Sequence, residues 1–451
     1  MNSAAIILAA GKGTRMKSEL PKVLHKVLGE PMLNHVLDAL EEAKIKRKIV
    51  VLGHGAKEVE EILHEQIEVT YQKQQLGTGH AVMQAENLLN GKEDNVLVVC
   101  GDTPLLRSET LTKLIESHKE NQATITILTA KVDDPTGYGR IIRDENGVQA
   151  IIEEKDANVG QKAIDEINTG AYCFKGNFLL SEIVKLDNNN AQGEYYLTDL
   201  IKKAVSQNLK VDSYIMEDHI EALGINNRIQ LAEAESILRK RILDRLMLEG
   251  TTLIDPLNTY IGKNVKIGQD TIIYPGCILE GTTSIGQNAI IGPNTRIINS
   301  EIMDSVNIQS SLIVDSKVGS GCNIGPFAYL RPNSVLEDNV KVGDFVEIKN
   351  STINKGSKIP HLSYIGDSVV GSKVNIGCGT ITCNYDGKVK SKTVINDGAF
   401  IGSNTNLVAP VTIGQGAFIG AGSTITKDVP EGSLGLGRSK QKNIDDWSKK
   451  S

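Results

Sequence analysis

The sequence predicts an α/β chain of two unlike parts: a doubly wound, mostly parallel sheet over residues 1–227 and a parallel β-helix over 251–451, joined by a helix over 228–250. Three observations carry this. Short apolar runs alternate with amphipathic stretches in the first half, the pattern of a parallel sheet with helices on both faces. Aliphatic residues recur every six positions in the second half, a period that neither a helix nor a flat strand generates. Of the 43 glycines, 18 lie in the first 250 residues and 25 in the remaining 201, so the backbone turns tightly more often in the second half.

Along the chain, residues 5–8, 49–52, 96–99 and 124–128 read as buried strands, with helices over 32–43 and 79–89 between them. Ligands of such a sheet sit at the carboxyl ends of its strands. Leu231, Leu238, Ile242 and Leu246 recur at four- and seven-residue steps with Arg and Glu between them, and Gly250 is a stop signal; this is the connecting helix. Beyond it, Ile261, Ile267, Ile273, Leu279, Ile285, Ile291, Ile297 and Met303 fall at intervals of six. The rhythm resumes in a new phase at Val306, Leu312, Val318, Ile324, Leu330, Leu336, Val342 and Ile348, and again at Ile395, Ile401, Leu407, Ile413, Ile419 and Ile425. Each short strand places one aliphatic side chain inward, three strand-turn units close a triangular coil, and stacked coils bury a continuous column. An aromatic content of 4% suits so narrow an interior.

A length of 451 residues excludes a single small binding module, and 40% hydrophobic with 23% charged residues supplies folded cores. The net charge of -6, with one small basic cluster at Arg438, Lys440 and Lys442, argues against a nucleic-acid partner. No apolar stretch approaches the roughly 18 residues that a membrane-spanning helix needs. Residues 4–10 have no basic region before them and run into Gly11, Lys12 and Gly13, so they read as a buried strand rather than a signal, and a cytoplasmic protein is expected. The six cysteines, Cys100, Cys173, Cys277, Cys322, Cys378 and Cys383, form no Cys-x-x-Cys pair, which disfavours zinc sites and disulfides.

The first strand empties into Leu8, Ala9, Ala10, Gly11, Lys12, Gly13, Thr14, Arg15 and Met16, with Pro21 and Lys22 following. A Gly-rich turn after a buried strand lets backbone N–H groups converge on phosphate oxygens. It is not a Walker loop, because Gly-Lys-Ser/Thr is missing at the required spacing, and Met16 replaces the third glycine of a dinucleotide fingerprint. Arg15 and Lys22 add cations suited to a triphosphate. Asp102, directly after Cys100 and Gly101, has two readings, a carboxylate that holds Mg²⁺ against phosphates or a cap for the next helix; the neighbouring Gly-rich loop favours the metal. In residues 251–451 the one histidine is His361. A lone imidazole is more often structural, but Arg331, Lys349 and Tyr364 recur near one coil's spacing and bring cations suited to a phosphate. Departures from the period at 375–380 and 384–387 mark functional loops or tolerated insertions.

The string at 8–16 with Lys22 closely resembles the signature of sugar-1-phosphate nucleotidyltransferases. Downstream, Gln72 and the stretch Gln75, Leu76, Gly77, Thr78, Gly79 resemble that family's pyrimidine-recognition segment. Gly137 to Arg140, Glu153 to Asp156, Asn168 to Gly170 and Gly224 to Arg228 resemble its sugar-binding segments and its second metal ligand. The second half resembles, nearly continuously, the acetyltransferase part of the bacterial family of bifunctional N-acetylglucosamine-1-phosphate uridyltransferases/glucosamine-1-phosphate N-acetyltransferases, so the likeness covers essentially the whole chain.

That resemblance implies a Rossmann-like nucleotidyltransferase sheet followed by a left-handed β-helix of hexapeptide repeats, a handedness opposite to the usual crossover rule. It implies nucleotide and sugar binding at Leu8, Ala9, Ala10, Gly11, Arg15, Lys22, Gln72, Gly77, Thr78, Gly101, Gly139, Glu153, Asn168 and Asn226, with Mg²⁺ on Asp102 and Asn226. In the second half it implies His361 as general base, possession of a sugar-phosphate site at Arg331, Lys349, Tyr364, Asn375 and Lys390, and an acetyl-CoA site at Cys378, Asn384, Tyr385, Ser403, Ala421 and Arg438. Glu347 is expected to orient His361. UTP and acetyl-CoA are the implied co-substrates, and a homotrimer with the acetyl site between subunits is the implied assembly. Two positions depart from the family: Cys100 stands where Tyr is frequent and Cys378 where Ala is frequent. Two other readings remain, a single-activity nucleotidyltransferase with an effector-binding β-helix and a non-enzymatic trimerisation scaffold.

Overall fold

The computed structural model describes residues 3–89, 91, 93–445 and 447–449, and the chain divides into two compact units, Met1–Leu238 and Arg239–Ser451. In the first, β1 (Ser3–Ala9), α1 (Met32–Glu42), β2 (Arg47–Leu52), β3 (Glu68–Tyr71), α2 (Thr78–Met83), β4 (Asn95–Cys100), α3 (Ser108–Glu120) and β5 (Ile125–Lys131) follow one another. A hairpin of β6 (Arg140–Asp144) and β7 (Gly147–Ile152) precedes β8 (Glu166–Lys175), α4 (Gly176–Ile183), α5 (Asp199–Ser206) and β9 (Val211–Ile215). The sheet order is β9-β5-β8-β4-β1-β2-β3. The side chains of β1 alternate as the pleat demands: Ala5, Ile7 and Ala9 join the core under α1 and α3, and Ala4 and Ile6 join the opposite core with Val98, Phe174 and Leu200.

The sheet is mostly parallel, as the sequence predicts, and carries one antiparallel strand in its middle: β1 pairs in parallel with β2 and β4, but β8 lies antiparallel to both β4 and β5. It enters after the β6–β7 hairpin rather than through a crossover helix, and a strand entering that way returns antiparallel. The helix expected over 79–89 ends at Met83 and continues only as turns. The Thr70 hydroxyl donates to the Gln84 carbonyl at 2.7 Å, so this carbonyl is engaged outside the helix.

Buried polar groups make the first unit pH-sensitive. His118, on the last turn of α3, is 2% exposed with Nδ1 2.9 Å from Thr126 Oγ1. Burial first, then the charges of Lys175 and Lys119, pull its imidazole down to about 4. The unfolded chain therefore takes up this proton first, near pH 6.5, and stability present above that pH is lost as the pH falls toward 4. Wild-type protein should lose about 2 kcal/mol through this group between pH 7 and pH 5. Urea melts at the two pH values, compared with His118→Asn, check this; an equal pH slope in both proteins contradicts it.

The connecting helix is α6 (Arg228–Leu248), and Gly250 follows it at φ +103°. Asn227 caps its start, its Oδ1 accepting from the N–H groups of Ile229 and Gln230 at 2.9 Å each. The second unit is a parallel β-helix whose strands, two to four residues long, form three sheets of 11, 10 and 9 strands. The inward column begins as the period predicts and then departs from it. Met303 is 41% exposed, and Ile302 points inward in its place. Beyond it Ile308 and Ile313, rather than Val306 and Leu312, continue the column. Turns at Asn299, Ser310 and Asp315, with φ +48°, +44° and +43°, are one residue shorter than a hexad requires, so each shortened unit moves the register. Val306 is still buried, two residues before Ile308. From Val318 to Ile348 and from Ile395 to Ile425 the predicted residues are the buried ones.

Candidate active sites

The first site lies at the carboxyl ends of β1 and β4. Gly101, one residue past β4, donates its N–H to the Leu8 carbonyl at 2.9 Å, holding the two strand ends together. Beyond Ala9 and Ala10 the chain exposes Gly11 and makes a single 3₁₀ turn at Thr14–Met16, with Met16 buried beneath it. Gly13 is required: its φ is +60°, and a Cβ there would stand 2.6 Å from Lys22 Cβ. This close approach directs Lys22 toward Asp102, with which its ammonium pairs, and toward Asn226 Oδ1 at 2.7 Å. Arg15 reaches the same Asn226 oxygen at 2.8 Å. Four residues picked from three distant stretches of sequence thus meet at one point.

Asp102 does not cap the following helix, which begins at Ser108 with Arg107 at the cap position. Asp102 and Asn226 present hard oxygen donors that already converge on a cationic centre, the Lys22 ammonium. Among the described residues no group of three His, Cys, Asp or Glu side chains could hold a metal alone. A pair of oxygens fits Mg²⁺, which keeps waters and completes its shell with substrate phosphates.

The other residues expected at this site flank it. Gln72, 3% exposed, donates from Nε2 to the Gly77 carbonyl at 2.9 Å, bracing the loop before α2. Thr78 Oγ1 accepts from the Leu197 N–H at 3.2 Å. The Gly139 carbonyl accepts from the Asn168 N–H at 2.8 Å, and Asn168 Oδ1 accepts from the Gly170 N–H at 3.1 Å. Burial pushes the Glu153 carboxyl up, and Thr198 Oγ1 donates to it at 3.3 Å. Burial and the nearby Asp102 charge push the Cys100 thiol up to about 12, so it is no thiolate at neutral pH.

The second site is on the β-helix. The strands Lys341–Asp344 and Lys358–His361 pair in parallel with Asp344 opposite His361. They can approach only because residue 343 is glycine: a Cβ there would lie 1.8 Å from the Pro360 carbonyl oxygen. His361 Nδ1 stands 2.6 Å from Asp344 Oδ1, and both side chains remain accessible, at 55% and 38%. The imidazole holds the Asp344 carboxyl below its usual range, so the pair has a carboxylate facing a ring N–H. Nδ1 then carries the proton and Nε2 is left as the acceptor. Glu347, expected to orient His361, instead pairs with Arg331 at 2.8 Å. It stands three residues beyond Asp344, on the neighbouring sheet, in register with Tyr364.

Arg331 and Lys349 occupy equivalent positions on successive coils, since Leu330 pairs with Ile348. Lys349 Nζ lies 3.2 Å from Asp367 Oδ2. Cys378, Ser403 and Ala421 each stand two residues past the paired positions Ile376, Ile401 and Ile419, so they form one column along a corner. The Asn404 N–H donates to the Cys378 carbonyl at 2.6 Å and the Gly422 N–H to the Ser403 carbonyl at 2.8 Å. Asn375 lies on the sheet of His361, pairing with Lys358 and Phe400. The interruption after Cys383 is a loop: Tyr385 bridges Lys390, its exposed hydroxyl donates to the Gly387 carbonyl at 2.6 Å, and Asn384 turns back to Asp367. Arg438 is exposed beyond the final strand. Asp344 and Asp367, which contact the candidate residues His361 and Lys349, were not singled out by sequence reasoning.

A family model for nucleotidyl transferases matches residues 4–222, one described as the GMPPB C-terminal domain matches 261–336 and 317–386, and one for bacterial transferase hexapeptide repeats matches 392–427. Among curated relatives, a protein named Bifunctional protein GlmU from Clostridioides difficile is 53% identical over 100% of this chain and 98% of its own. Another of that name from Heliobacterium modesticaldum is 55% identical over 97% of this chain and 96% of its own. A third, from Exiguobacterium, is 51% identical over the full length of both. With both halves matched at such identity, the chain belongs to the bifunctional GlmU family.

Proposed function

We propose that the chain catalyses two reactions of UDP-N-acetylglucosamine synthesis: acetyl transfer from acetyl-CoA to glucosamine 1-phosphate, then uridylyl transfer from UTP to N-acetylglucosamine 1-phosphate with release of pyrophosphate. The observation favouring two activities over one is the His361–Asp344 contact of 2.6 Å, on the same β-helix that carries the cations Arg331 and Lys349. An effector pocket or a scaffold needs phosphate cations at most; it has no use for an imidazole held in one tautomer.

In the acetyl reaction the 2-amino group attacks the thioester carbonyl, His361 Nε2 takes the ammonium proton, and that proton passes to the departing coenzyme A sulfur. The Asp344 carboxylate fixes the ring and stabilises its charged form. Arg331, Lys349, Tyr364, Asn375 and Lys390 hold the sugar phosphate; Cys378, Asn384, Tyr385, Ser403, Ala421 and Arg438 line the path of acetyl-CoA.

In the uridylyl reaction the sugar phosphate attacks the α-phosphorus in line and pyrophosphate leaves. No general base is needed, since the attacking phosphate is already ionised near neutral pH. Arg15 and Lys22 neutralise the triphosphate, the Gly11–Gly13 turn offers N–H groups, and Gln72, Gly77 and Thr78 frame the base. Gly139, Glu153 and Asn168 face the sugar. Asp102 and Asn226 would hold Mg²⁺, which would neutralise charge on the phosphates when bound.

The same reading makes the protein a cytoplasmic homotrimer acting on small molecules; no helix among the described residues is long and apolar enough to cross a membrane. Incubating the protein with glucosamine 1-phosphate, acetyl-CoA, UTP and Mg²⁺ and identifying products by mass spectrometry tests the proposal. UDP-N-acetylglucosamine is expected; glucosamine 1-phosphate left unacetylated, with UDP-N-acetylglucosamine formed only in a parallel reaction supplied with N-acetylglucosamine 1-phosphate, would return the single-activity reading.

A further inference from the structure

We infer that Asp367 is a positioning residue for acetyl transfer, a carboxylate that presets the sugar-phosphate cation Lys349 and the acetyl-CoA residue Asn384 in one arrangement. The inference rests on the function proposed above and names a group that neither the sequence motifs nor that proposal assigned. Asp367 sits at a corner of the coil at φ +48° and is only 12% exposed. Its Oδ2 accepts from Lys349 Nζ at 3.2 Å and from Asn384 Nδ2, and its Oδ1 accepts from Asn350 Nδ2 at 2.6 Å. Burial would raise this carboxyl, but the bonds from Asn350, Asn384 and Lys349 outweigh it and hold the group below its usual range.

Charge explains why a carboxylate is needed at this place. Asp367 and Lys390 line one cavity of about 550 Å³ together with Asn333, Asn350 and Lys392. Lys349 and Lys390 lie close enough for the first to lower the second, with Arg331 adding in the same direction and Asp367 alone opposing it. On the other side Lys349 faces Asp367 and Tyr364. Three cations gathered to receive one phosphate repel each other before it arrives, and a central carboxylate offsets that repulsion. Because the same carboxylate also holds Asn384, the positions of the two substrate sites are tied together, and geometry set before binding favours reaction. An amide in its place would turn donors toward Lys349 or Asn384, which are donors themselves.

The test uses the full chain, wild type against Asp367→Asn, Asp367→Glu and Asn350→Gly, with steady-state kinetics for both substrates. For Asp367→Asn, KM for glucosamine 1-phosphate should rise tenfold or more and KM for acetyl-CoA several-fold, with a smaller loss of kcat. The alkaline limb of kcat/KM should move to lower pH, because Lys349 and Lys390 lose the negative charge that faces them. Asp367→Glu should recover part of the affinity. Asn350→Gly, which loosens the carboxylate without touching either substrate residue, should raise the same KM values two- to fivefold and covers the case in which the Asp367 variants fold poorly. Uridylyl transfer, in the other unit, should be unchanged throughout. If the wild type fails to acetylate glucosamine 1-phosphate, the functional reading falls and this inference with it. If the wild type acetylates while folded Asp367→Asn keeps both KM values and the alkaline limb, the inference alone is overturned.

Discussion

His361→Ala should reduce acetyl transfer by about 10²- to 10⁴-fold, the range contributed by a positioned general base, and leave uridylyl transfer at the wild-type rate. The separation follows from the fold, since His361 belongs to the β-helix and the Lys22, Asp102 and Asn226 cluster to the mixed sheet. Little stability is at stake. The imidazole is more than half exposed, outside the aliphatic column, and among the described residues the polar partner of its ring is the accessible Asp344. A melting curve that overlays the wild type would therefore accompany the lost activity. Asp344→Asn provides the second arm. Its amide can meet either nitrogen form of the ring, so the fraction with Nε2 free to accept a proton falls, and acetyl transfer should drop by less than in His361→Ala. The assay is thiol release from acetyl-CoA with glucosamine 1-phosphate in excess. Full activity in His361→Ala would remove the imidazole from the chemistry, and full activity in Asp344→Asn would reduce the 2.6 Å contact to a surface pair.

Local chemistry decides which parts of this molecule can be read from its sequence. β1 and the turn after it are legible because one buried strand and one glycine-rich turn are short-range features, and Arg15 and Lys22 lie within them. Asn226 is not derivable that way: its oxygen meets Lys22 across more than 200 residues, and only the likeness to a known family pointed to it. In the β-helix the six-residue column survives wherever turns keep their length, and fails at Met303 and Leu312 where a coil drops a residue. A signal for those shortened turns was present in Asn299 and Asp315, residue types that tolerate left-handed backbone, but counting aliphatics passes over it. The partner of His361 was misassigned for the same reason. Glu347 stands 14 positions before His361 and falls on the neighbouring sheet, opposite Tyr364, whereas the residue in register with the imidazole is one whole coil earlier, 17 positions before it, at Asp344. In a solenoid the neighbours that matter stand about 17 or 18 positions apart, and that interval also finds Asp367 from Lys349 and Asn350. The antiparallel entry of β8 had no such marker, because strand direction depends on what the preceding hairpin leaves open in the sheet.

Asp102→Ala should abolish Mg²⁺-dependent pyrophosphate release, a fall of about 10²- to 10³-fold or more for losing one charge-matching group at a phosphoryl centre, with acetyl transfer intact. The structural alternative predicts a different result. Were Asp102 a helix cap, its loss would cost about 1 kcal/mol of stability and leave the reaction running. The cap position belongs to Arg107, five residues on, so unfolding curves of the variant should match those of the wild type. Charge makes the loss severe. Lys22 is 12% exposed and pairs with Asp102, with Asn226 Oδ1 as its other partner. Without the carboxylate the ammonium keeps one neutral oxygen and loses its counter-ion, so it relaxes away from the position in which it meets the triphosphate. Lys22→Met should therefore weaken UTP binding by itself, and the double variant with Asp102→Ala should lose less than the two single losses combined, because each change already removes the partner of the other. Independent, fully additive losses in that cycle would mean that Lys22 and Asp102 serve the nucleotide separately, and that their contact plays no part in setting the site.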